Sequence, residues 1–466
     1  MDIEEYRRWA ARAVDWTADY LAGLRDRPVR PNLTPGTVAA ALPAAPPEAP
    51  EPFEAIFADF ERLVPGAMTH WQHPRFFAYF PANADRASMV AEHLVAGMAA
   101  QCMLWQTSPA ATEMETRMVD WLRQALGLPA GFSGLIQDAA STATLCAILT
   151  MRERALDWRG NRTGLAGERP VRIYASAETH SSVDKAVWIA GLGQENLVKV
   201  PTDEAFAMRP GALAEAIRAD RAAGRLPAGV VICVGGTSIG AFDRVAETIA
   251  VAAGEGLYTN VDAAWAGSAM ICPEFRAHWA GVERADSIVF NPHKWLGAQF
   301  DYSVQFLRDP APQIRTLGLR PDFLQTPGQT GIVNFSEWTV PLGRRFRALK
   351  LWFLIRAHGL EGLRAMIRRH VAWAAMAHDR IAALPGFEIT SPLHLSLFTF
   401  RLAEGDEPTR RLLEAVNADG RLYLTQTTHQ GRFVIRFQVG SIDCSEADIA
   451  LACNVIAELA ARQRAS

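Results

Sequence analysis

The sequence predicts an α/β protein whose main part is built on a mostly parallel sheet. From about residue 110 onward, helix-like stretches alternate with short runs rich in β-branched residues, which is the pattern of right-handed βαβ units. After Arg344 the pattern changes to long helices followed by short alternating runs, which indicates a smaller α+β part. A proline-rich segment, 43–52, separates the main part from an N-terminal helix, because neither a helix nor a central strand tolerates so many prolines.

The individual elements follow from hydrophobic periodicity. An amphipathic helix is predicted over 4–25, where apolar residues recur near the 3.6-residue period. The other predicted helices span 113–126, 142–157, 210–224, 244–254, 347–356 and 362–384, and the predicted strands span 171–175, 229–234, 257–261, 287–290, 395–400 and 433–437. We expect three parts: an N-terminal helical dimerisation segment (1–85), a large domain (86–346) and a small α+β domain (347–466). The N-terminal arm has one apolar face, and a second subunit is the surface on which we expect it to dock.

Composition excludes several classes of function. The chain has 466 residues, 49% hydrophobic and 21% charged, with a net charge of −3, so it has no electrostatic footprint for nucleic acid or an anionic membrane. It lacks an apolar run long enough to span a bilayer, and its acidic start differs from a secretory signal. The six cysteines form no CxxC pair, which favours buried free thiols in a reducing cytoplasm over a disulfide framework. No residue cluster has the spacing of a metal site, and no phosphate-binding loop or dinucleotide fingerprint is present.

Polar residues follow four of the predicted strands, at the point where each strand ends. Ligands of open α/β sheets bind beyond the carboxyl ends of the strands. The four segments are Glu178-Thr179-His180-Ser181-Ser182, Gly235-Gly236-Thr237-Ser238, Asp262-Ala263-Ala264 and Asn291-Pro292-His293-Lys294-Trp295. Ionisable groups at several adjacent strand ends predict a binding or catalytic site.

Lys294 is the centre of this prediction. It follows an apolar strand beside Trp295 and Leu296, so its amine is expected to be partly desolvated and available for Schiff-base formation. The alternative is an ordinary surface lysine at a strand end. Asp262 ends the preceding apolar strand, where its carboxylate can hold a pyridine nitrogen protonated, as the electron sink of pyridoxal 5′-phosphate requires. Its alternative is a helix N-cap.

Two further segments complete the predicted cofactor site. His180 can stack on a ring face and relay protons, although a histidine packed at a helix start is the alternative. Ala140 and Ser141 lie at the start of the predicted helix 142–157, where free N–H groups and the positive helix end can hold a phosphate. The same residues also suit an ordinary N-cap, so the phosphate interpretation is supported only together with Lys294, Asp262 and His180.

The chain resembles the group II pyridoxal-phosphate decarboxylases, close to the aromatic-L-amino-acid decarboxylases. The segments that carry the resemblance run through most of the chain and are highly specific: 69–81, 108–113, 137–145, 180–183, 261–268, 291–296 and 341–346. The resemblance implies fold type I (aspartate-aminotransferase-like), pyridoxal 5′-phosphate as cofactor, an aromatic L-amino acid as substrate, and an obligate homodimer with active sites at the subunit interface.

The resemblance also implies a role for each matching position. It makes Lys294 the Schiff-base lysine and Asp262 the partner of the pyridine nitrogen, and it places His180 over the ring face and Thr237 near the 3-oxygen of the ring. The positions implied to hold the phosphate are Ala140, Ser141, Asn291 and His293. The positions implied to surround the aromatic ring of the substrate are Trp71, Tyr79, Phe80 and Pro81, with Gln101 and Met103 from the partner subunit.

Four positions bear on how far the resemblance extends to substrate and product. Asn260 stands where family members usually have histidine, and Ala82 stands where some catechol-using relatives have threonine. Gly343 is the small residue that goes with indole substrates among plant relatives. In family members, a mobile loop after the lysine strand carries a tyrosine whose hydroxyl delivers a proton to the substrate Cα, and Phe323 stands at that position here. This last change resembles the aldehyde synthases, which decarboxylate and then oxidatively deaminate with O₂.

Three other functions compete with an aldehyde synthase. A plain decarboxylase would release the arylalkylamine, with His180 or water supplying the proton. An aminotransferase would need an arginine to hold the α-carboxylate of the substrate. A protein that only binds the cofactor is disfavoured by the presence of Lys294, Asp262 and His180 together.

Overall fold

The computed structural model describes residues 1–319 and 331–465, which form two compact units. The larger unit comprises Ala82–Ala375 and Ser391–Thr399, and the smaller unit comprises Met1–Pro81, Met376–Thr390 and Phe400–Ser466. These units are defined by contacts, whereas the three expected parts are defined by sequence patterns, so the three-part division stays a prediction.

Helices and strands alternate through most of the chain. The helices are α1 (Ile3–Ala22), α2 (Thr37–Ala41), α3 (Phe53–Leu63), α4 (Arg86–Met98), α5 (Pro109–Leu126), α6 (Ala140–Ala155), α7 (Gly160–Thr163), α8 (Ser182–Ile189), α9 (Pro210–Ala222), α10 (Val245–Gly254), α11 (Ala311–Leu317), α12 (Ala348–Ala382), α13 (Asp406–Asp419) and α14 (Glu446–Ala465). The strands are β1 (Ser133–Gln137), β2 (Val171–Ser176), β3 (Leu197–Val200), β4 (Leu226–Cys233), β5 (Tyr258–Asp262), β6 (Ser287–Phe290), β7 (Ser303–Leu307), β8 (Phe387–Ile389), β9 (Leu397–Leu402), β10 (Thr425–His429) and β11 (Arg432–Gln438).

The larger unit is organised around a seven-stranded sheet in the order β1-β7-β6-β5-β4-β2-β3. The neighbours from β6 to β3 run parallel, whereas β7 is antiparallel to both β6 and β1. The predicted α/β class with a mostly parallel sheet is confirmed. The predicted strands 171–175, 229–234, 257–261 and 287–290 correspond to β2, β4, β5 and β6 with ends displaced by a few residues at most.

The sheet is covered on both faces, so successive residues of its central strands are buried whichever face they point to. All five residues of β5 are buried, and helix α6 packs across β4, β5, β6 and β7. Below α6 lies an apolar cluster that includes Met151, Ile173, Val231 and Tyr258. A Cβ added at Gly229 would lie 2.4 Å from the Met151 sulfur, so the absence of a side chain there lets helix and sheet pack closely.

The smaller unit contains the N-terminal arm. Trp9 and Trp16 of α1 contact the phenylalanine rings of α3, with a distance of 5.0 Å between the ring centroids of Trp9 and Phe53 and of 4.7 Å between those of Trp16 and Phe60. Between the two helices lies an apolar groove of about 360 Å³ lined by Ala13, Trp16, Thr17, Phe53, Ile56, Phe57 and Phe60. The amphipathic helix predicted over 4–25 is confirmed as α1 followed by a 3₁₀ turn, Leu24–Asp26.

Membrane spans, metal clusters and disulfides are all absent from the described part of the chain. No helix there is both long enough and apolar enough to cross a membrane. No group of three or more His, Cys, Asp or Glu side chains is placed to hold a metal ion. All six cysteines are buried and none is in a disulfide, as the sequence predicted.

Candidate active site

The carboxyl ends of β2, β4, β5 and β6 form one edge of the sheet, which we call the carboxyl edge. These four strands are parallel and adjacent in the order β6-β5-β4-β2, so the residues that follow them lie side by side. The four polar segments singled out from the sequence therefore meet at this edge. The structure shows where these residues lie, and their chemical roles stay predictions.

Asp262 is the last residue of β5 and is only 5% exposed. Its Oδ1 accepts a hydrogen bond of 3.1 Å from the N–H of Ala264. Burial raises the pKa of this carboxyl, while the nearby His180 and Lys294 oppose the shift. A buried carboxylate of this kind is stabilised by a cationic partner.

A neighbouring backbone N–H determines which ring nitrogen of His180 carries the proton. The N–H of Ser182 donates to His180 Nδ1 over 3.1 Å, and the Ser182 hydroxyl lies 2.9 Å from the same atom. Desolvation lowers the pKa of His180, and Lys294 lowers it further, whereas Asp262 opposes the shift. Because Nδ1 is an acceptor, the neutral ring carries its proton on Nε2, where it can donate to a bound group.

Lys294 is fixed through its backbone on both sides. Its N–H donates to the carbonyl of Asn291 over 2.9 Å, and its own carbonyl accepts from Asn83 Nδ2 over 2.8 Å. The next residue, Trp295, is fully buried and donates from Nε1 to His370 Nδ1 over 2.9 Å. The charge of Lys294 acts on both Asp262 and His180, so the structure brings these three residues into one electrostatic cluster.

His293 is a neutral hydrogen-bond donor at the same edge. Its Nδ1 accepts from the N–H of Tyr302 over 2.9 Å, which leaves the proton on Nε2. Burial, reinforced by the charge of Lys294, lowers the pKa of His293 to about 3. At neutral pH this imidazole therefore presents an N–H without carrying a charge.

The residues implied to hold a phosphate fit that group. Asn291 is buried, and its Oδ1 has no hydrogen-bond partner among the described residues. Rotation of this amide would present Nδ2 instead, a donor suited to phosphate oxygens. Helix α6 begins at Ala140 with no side-chain hydrogen bond to cap it, so the N–H groups of Ala140 and Ser141 remain available at its positive end.

The segment after β4 approaches the edge through a glycine. Gly235 has φ 93°, and an added Cβ would lie 2.6 Å from Ala266 Cβ and 2.9 Å from Trp265 Cε2. Only glycine allows both this backbone conformation and this close approach. Thr237, implied to lie near the ring oxygen, follows in the same loop and is partly buried.

The residues implied to bind the substrate belong to the smaller unit or to the larger unit, except for Phe323. In the smaller unit, Trp71 stacks on Tyr79 with ring centroids 5.7 Å apart, and Phe80 and Pro81 are buried. In the larger unit, Gln101 Oε1 accepts from the N–H of Arg344 over 2.7 Å, and an added Cβ on Gly343 would lie 3.2 Å from Gln101 Nε2. Ala82 and Met103 also belong to the larger unit and are partly buried. Phe323 lies outside the described residues.

Sequence reasoning missed the groups that orient the cluster. Asn83, Ser182, Ala264 and Tyr302 each hold a predicted site residue through a hydrogen bond. Three of the four donate from a backbone N–H, and because every residue except proline has one, the sequence does not reveal this contact. Asn83 is the exception, since a polar residue among Pro81, Ala82 and Ala84 could have been recognised as buried and functional.

Comparison with known proteins adds to this geometry. The family model described as the pyridoxal-dependent decarboxylase conserved domain matches residues 35–403. The chain is 39% identical over 474 aligned positions to the aromatic-L-amino-acid decarboxylase of Mus musculus, covering 99% of this chain and 98% of the relative. It is 37% identical to the phenylacetaldehyde synthase of Arabidopsis thaliana, covering 98% and 96% of the two chains.

Solved structures give the same result. The crystal structure of Oryza sativa TDC with PLP and tryptamine superposes with a TM-score of 0.95 at 36% identity, covering 99% of each chain. That of Rhodiola rosea 4-hydroxyphenylacetaldehyde synthase superposes with a TM-score of 0.92 at 34% identity, again covering 99% of each chain. The matched domain, these relatives and the fold agree with the cluster at the carboxyl edge. The chain belongs to the pyridoxal-dependent decarboxylase family, with fold type I and pyridoxal 5′-phosphate as its cofactor.

Proposed function

We propose that this chain removes CO₂ from an aromatic L-amino acid and, through Phe323, converts the product further to the arylacetaldehyde. The observation that carries the decarboxylase chemistry is the cluster of Lys294, Asp262 and His180 at the carboxyl edge. Bound at that edge, pyridoxal 5′-phosphate supplies an electron sink for cleavage of a bond at the substrate Cα.

Each residue of the cluster has a separate task in this proposal. The amine of Lys294 would be the point of covalent attachment for bound pyridoxal 5′-phosphate. The carboxylate of Asp262 keeps a proton on the ring nitrogen, which makes the ring a better acceptor of electrons. His180 presents Nε2–H at the same edge, while His293, Asn291 and the start of α6 bind the phosphate.

The aromatic class of substrate is supported by both relatives and residues. Relatives with this activity in their names include the mouse aromatic-L-amino-acid decarboxylase and a tryptophan decarboxylase of Oryza sativa that is 37% identical. In this chain, the stacked rings of Trp71 and Tyr79 offer a flat apolar surface that suits an aromatic side chain.

The proposed product depends on Phe323. A tyrosine at this position would offer a hydroxyl to protonate the substrate Cα, and phenylalanine cannot donate a proton. Delayed protonation leaves the electron pair at Cα available to O₂. The overall reaction balances as amino acid, O₂ and water giving arylacetaldehyde, CO₂, NH₃ and H₂O₂, with O₂ reduced to peroxide as the amine carbon is oxidised.

A plain decarboxylase is the second candidate. His180 lies at the same edge with its Nε2 proton available, so it can protonate Cα in place of a tyrosine and release the arylalkylamine. Relatives of both kinds resemble this chain to a similar degree, since the mouse decarboxylase is 39% identical and the Arabidopsis aldehyde synthase 37%.

One substitution separates the two candidates. Phe323→Tyr restores the missing hydroxyl, so we expect oxygen uptake and peroxide to fall and the product to shift from aldehyde to amine. The measurement is chromatography of the products from phenylalanine, tyrosine, DOPA and tryptophan, with oxygen and peroxide followed in parallel. Phe323→Leu is the matched control, because it changes the side chain without adding a hydroxyl and should still give aldehyde. If the unchanged protein makes only amine in air-saturated buffer, the aldehyde proposal is wrong and the plain decarboxylase stands.

A further inference from the structure

Lys350 is a fully buried lysine of α12 that lies outside the cluster of Lys294, Asp262 and His180. Its side chain is 0% exposed. The Nζ donates to the carbonyl of Asp301 over 2.9 Å and to Gln299 Oε1 over 3.3 Å, and it lies 3.2 Å from Glu92 Oε2. All three partners are hydrogen-bond acceptors.

The ion pair with Glu92 indicates that Lys350 is a charged ammonium. Its Nζ lies 3.2 Å from Glu92 Oε2 and makes its two hydrogen bonds to the Asp301 carbonyl and Gln299 Oε1. Burial lowers the pKa of Lys350, but the carboxylates of Glu92 and Asp301 favour its charged form. The positive charge therefore lies directly against the Asp301 carbonyl.

The Asp301 carbonyl belongs to the same peptide group as the N–H of Tyr302. That N–H is the donor that holds His293 Nδ1 at 2.9 Å. A cation on the carbonyl oxygen draws electrons toward it and makes the N–H at the other end of the peptide a stronger donor. The hydrogen-bonded path from Lys350 to His293 thus passes through a single peptide group.

We propose that Lys350 is a positioning residue that acts on His293 through the Asp301–Tyr302 peptide. By strengthening the hydrogen bond to Nδ1, the ammonium keeps the imidazole in the form that carries its proton on Nε2 and points that N–H at the phosphate of the cofactor. This inference rests on the phosphate-binding role proposed for His293 and does not depend on which product the enzyme releases.

Arg347 provides a matched control, because it directly precedes α12 and binds the same residue, Asp301. Its guanidinium binds the carboxylate of Asp301 in two places, with Nε 3.0 Å from Oδ1 and the terminal nitrogen 2.9 Å from Oδ2. It therefore anchors Asp301 without touching the peptide carbonyl. In a Lys350→Met variant, Asp301 keeps Arg347 and Glu92 keeps its contact with Arg345, so neither carboxylate is left without a cation.

The first measurement is retention of the cofactor. Holoenzymes of Lys350→Met, Arg347→Met and His293→Leu are diluted, and the pyridoxal 5′-phosphate released at equilibrium is followed by absorbance. We expect Lys350→Met to raise the dissociation constant about tenfold, the order of effect seen when the partner behind a ligand-holding imidazole is removed. Arg347→Met should lower thermal stability while leaving the dissociation constant close to that of the unchanged protein. In the Lys350→Met, His293→Leu double variant the two losses should not add.

The second measurement tests the mechanism directly. In holoenzyme with ¹⁵N-labelled histidine, the His293 nitrogens should give separate Nδ1 and Nε2 signals, which Lys350→Met should shift toward each other and Arg347→Met should not. Normal cofactor retention in Lys350→Met, or weakened retention with unchanged His293 signals, would overturn the inference alone. Normal retention in His293→Leu would overturn it together with the role proposed for His293. If Lys350→Met does not fold, Lys350→Gln, a neutral donor, takes its place with the same expected signs.

Discussion

Asp262 and Asp243 are two buried aspartates of the larger unit with different partners. Asp243 accepts two backbone hydrogen bonds, from Met208 at 2.6 Å and from Cys233 at 2.7 Å, and burial raises its pKa to about 7. Asp262 accepts one, from Ala264, and lies near His180 and Lys294, which oppose the rise of its pKa. The Asp243 carboxylate joins the end of β4 to the segment before α9. Asp262 has fewer structural hydrogen bonds, so it is the better candidate for a chemical role.

This contrast gives a prediction for Asp262. In Asp262→Asn the neutral amide cannot stabilise a protonated ring nitrogen, so we expect the cofactor to bind while kcat falls by ~10²–10³. The measurements are steady-state kinetics and the absorbance of the bound cofactor. Asp243→Asn is the control, because it makes the same change at another buried aspartate. It should lower thermal stability while leaving the absorbance spectrum of the cofactor unchanged. Activity in Asp262→Asn within a few-fold of the unchanged protein would contradict the role.

The residue scale also shows where sequence reasoning succeeds and where it stops. The common location of Lys294, Asp262 and His180 could be predicted because strand ends in an α/β protein converge, and ionisable residues there are readily noticed. The proton positions on His180 and His293 could not, because they are set by the N–H groups of Ser182 and Tyr302. Asn260 is distinctive in the sequence, but only the structure shows that both polar atoms of its amide are buried without a partner among the described residues.

At the scale of elements, the close approach of two loops at the carboxyl edge depends on Gly235. The loop after β4 packs against the segment after β5, and the space between Gly235 and Ala266 admits no side chain. Gly224, which follows α9, has a similar backbone conformation, with φ 74°, but nothing lies within 4 Å of an added Cβ. The two positions therefore separate the effect of backbone conformation from the effect of packing.

We expect Gly235→Ala to lose more stability than Gly224→Ala. Both variants force alanine into the left-handed region, at a cost of about 1–2 kcal/mol. Only Gly235→Ala adds a collision with Ala266 and Trp265, and only it should weaken binding of pyridoxal 5′-phosphate. Urea denaturation and cofactor titration measure the two effects. Equal losses of stability in the two variants would mean that the close approach at Gly235 contributes nothing.

Element prediction succeeded for four buried strands of the larger sheet, β2, β4, β5 and β6. The strands β1, β3 and β7 were not predicted, and each carries a glutamine or a lysine beside its apolar residues. The two helices predicted over 347–356 and 362–384 are confirmed as the two parts of α12, which is broken at Gly359, where φ is 63° and ψ is 168°.

At the scale of the whole molecule, the arm α1 leaves apolar side chains uncovered in the single chain. Tyr6 and Val14 of α1 and Ile56 of α3 are each close to half exposed or more, and Ile56 lines the groove between the two helices. Exposed apolar patches of this kind mark interaction surfaces. We propose that a second copy of the chain covers them, which agrees with the partner contributions implied for Gln101 and Met103.

The dimer proposal has a test in solution and a test in the active site. Light scattering should give the mass of two chains, and Val14→Glu with Ile56→Glu should shift the protein toward inactive monomer. Co-expressed Lys294→Ala and Met103→Glu chains should regain part of the activity that each lacks alone, because one mixed site then has both residues intact. Glu4→Gln, on the same helix, should change neither mass nor activity. An active monomer would contradict the proposal.

The antiparallel strand β7 has a consequence for the lysine that precedes it. The chain leaves β6 at the carboxyl edge after Phe290 and, because β7 runs the opposite way, enters β7 at that same edge at Ser303. The connection between β6 and β7 therefore begins and ends on two strands that are hydrogen-bonded to each other. It contains Asn291, His293, Lys294 and Tyr302. If β7 were parallel to β6, the chain would have to cross to the opposite ends of the strands before β7 could begin. The reversal keeps the residues between β6 and β7 at the carboxyl edge, so Lys294 and His293 are held on one connection that is fixed to the sheet at both ends.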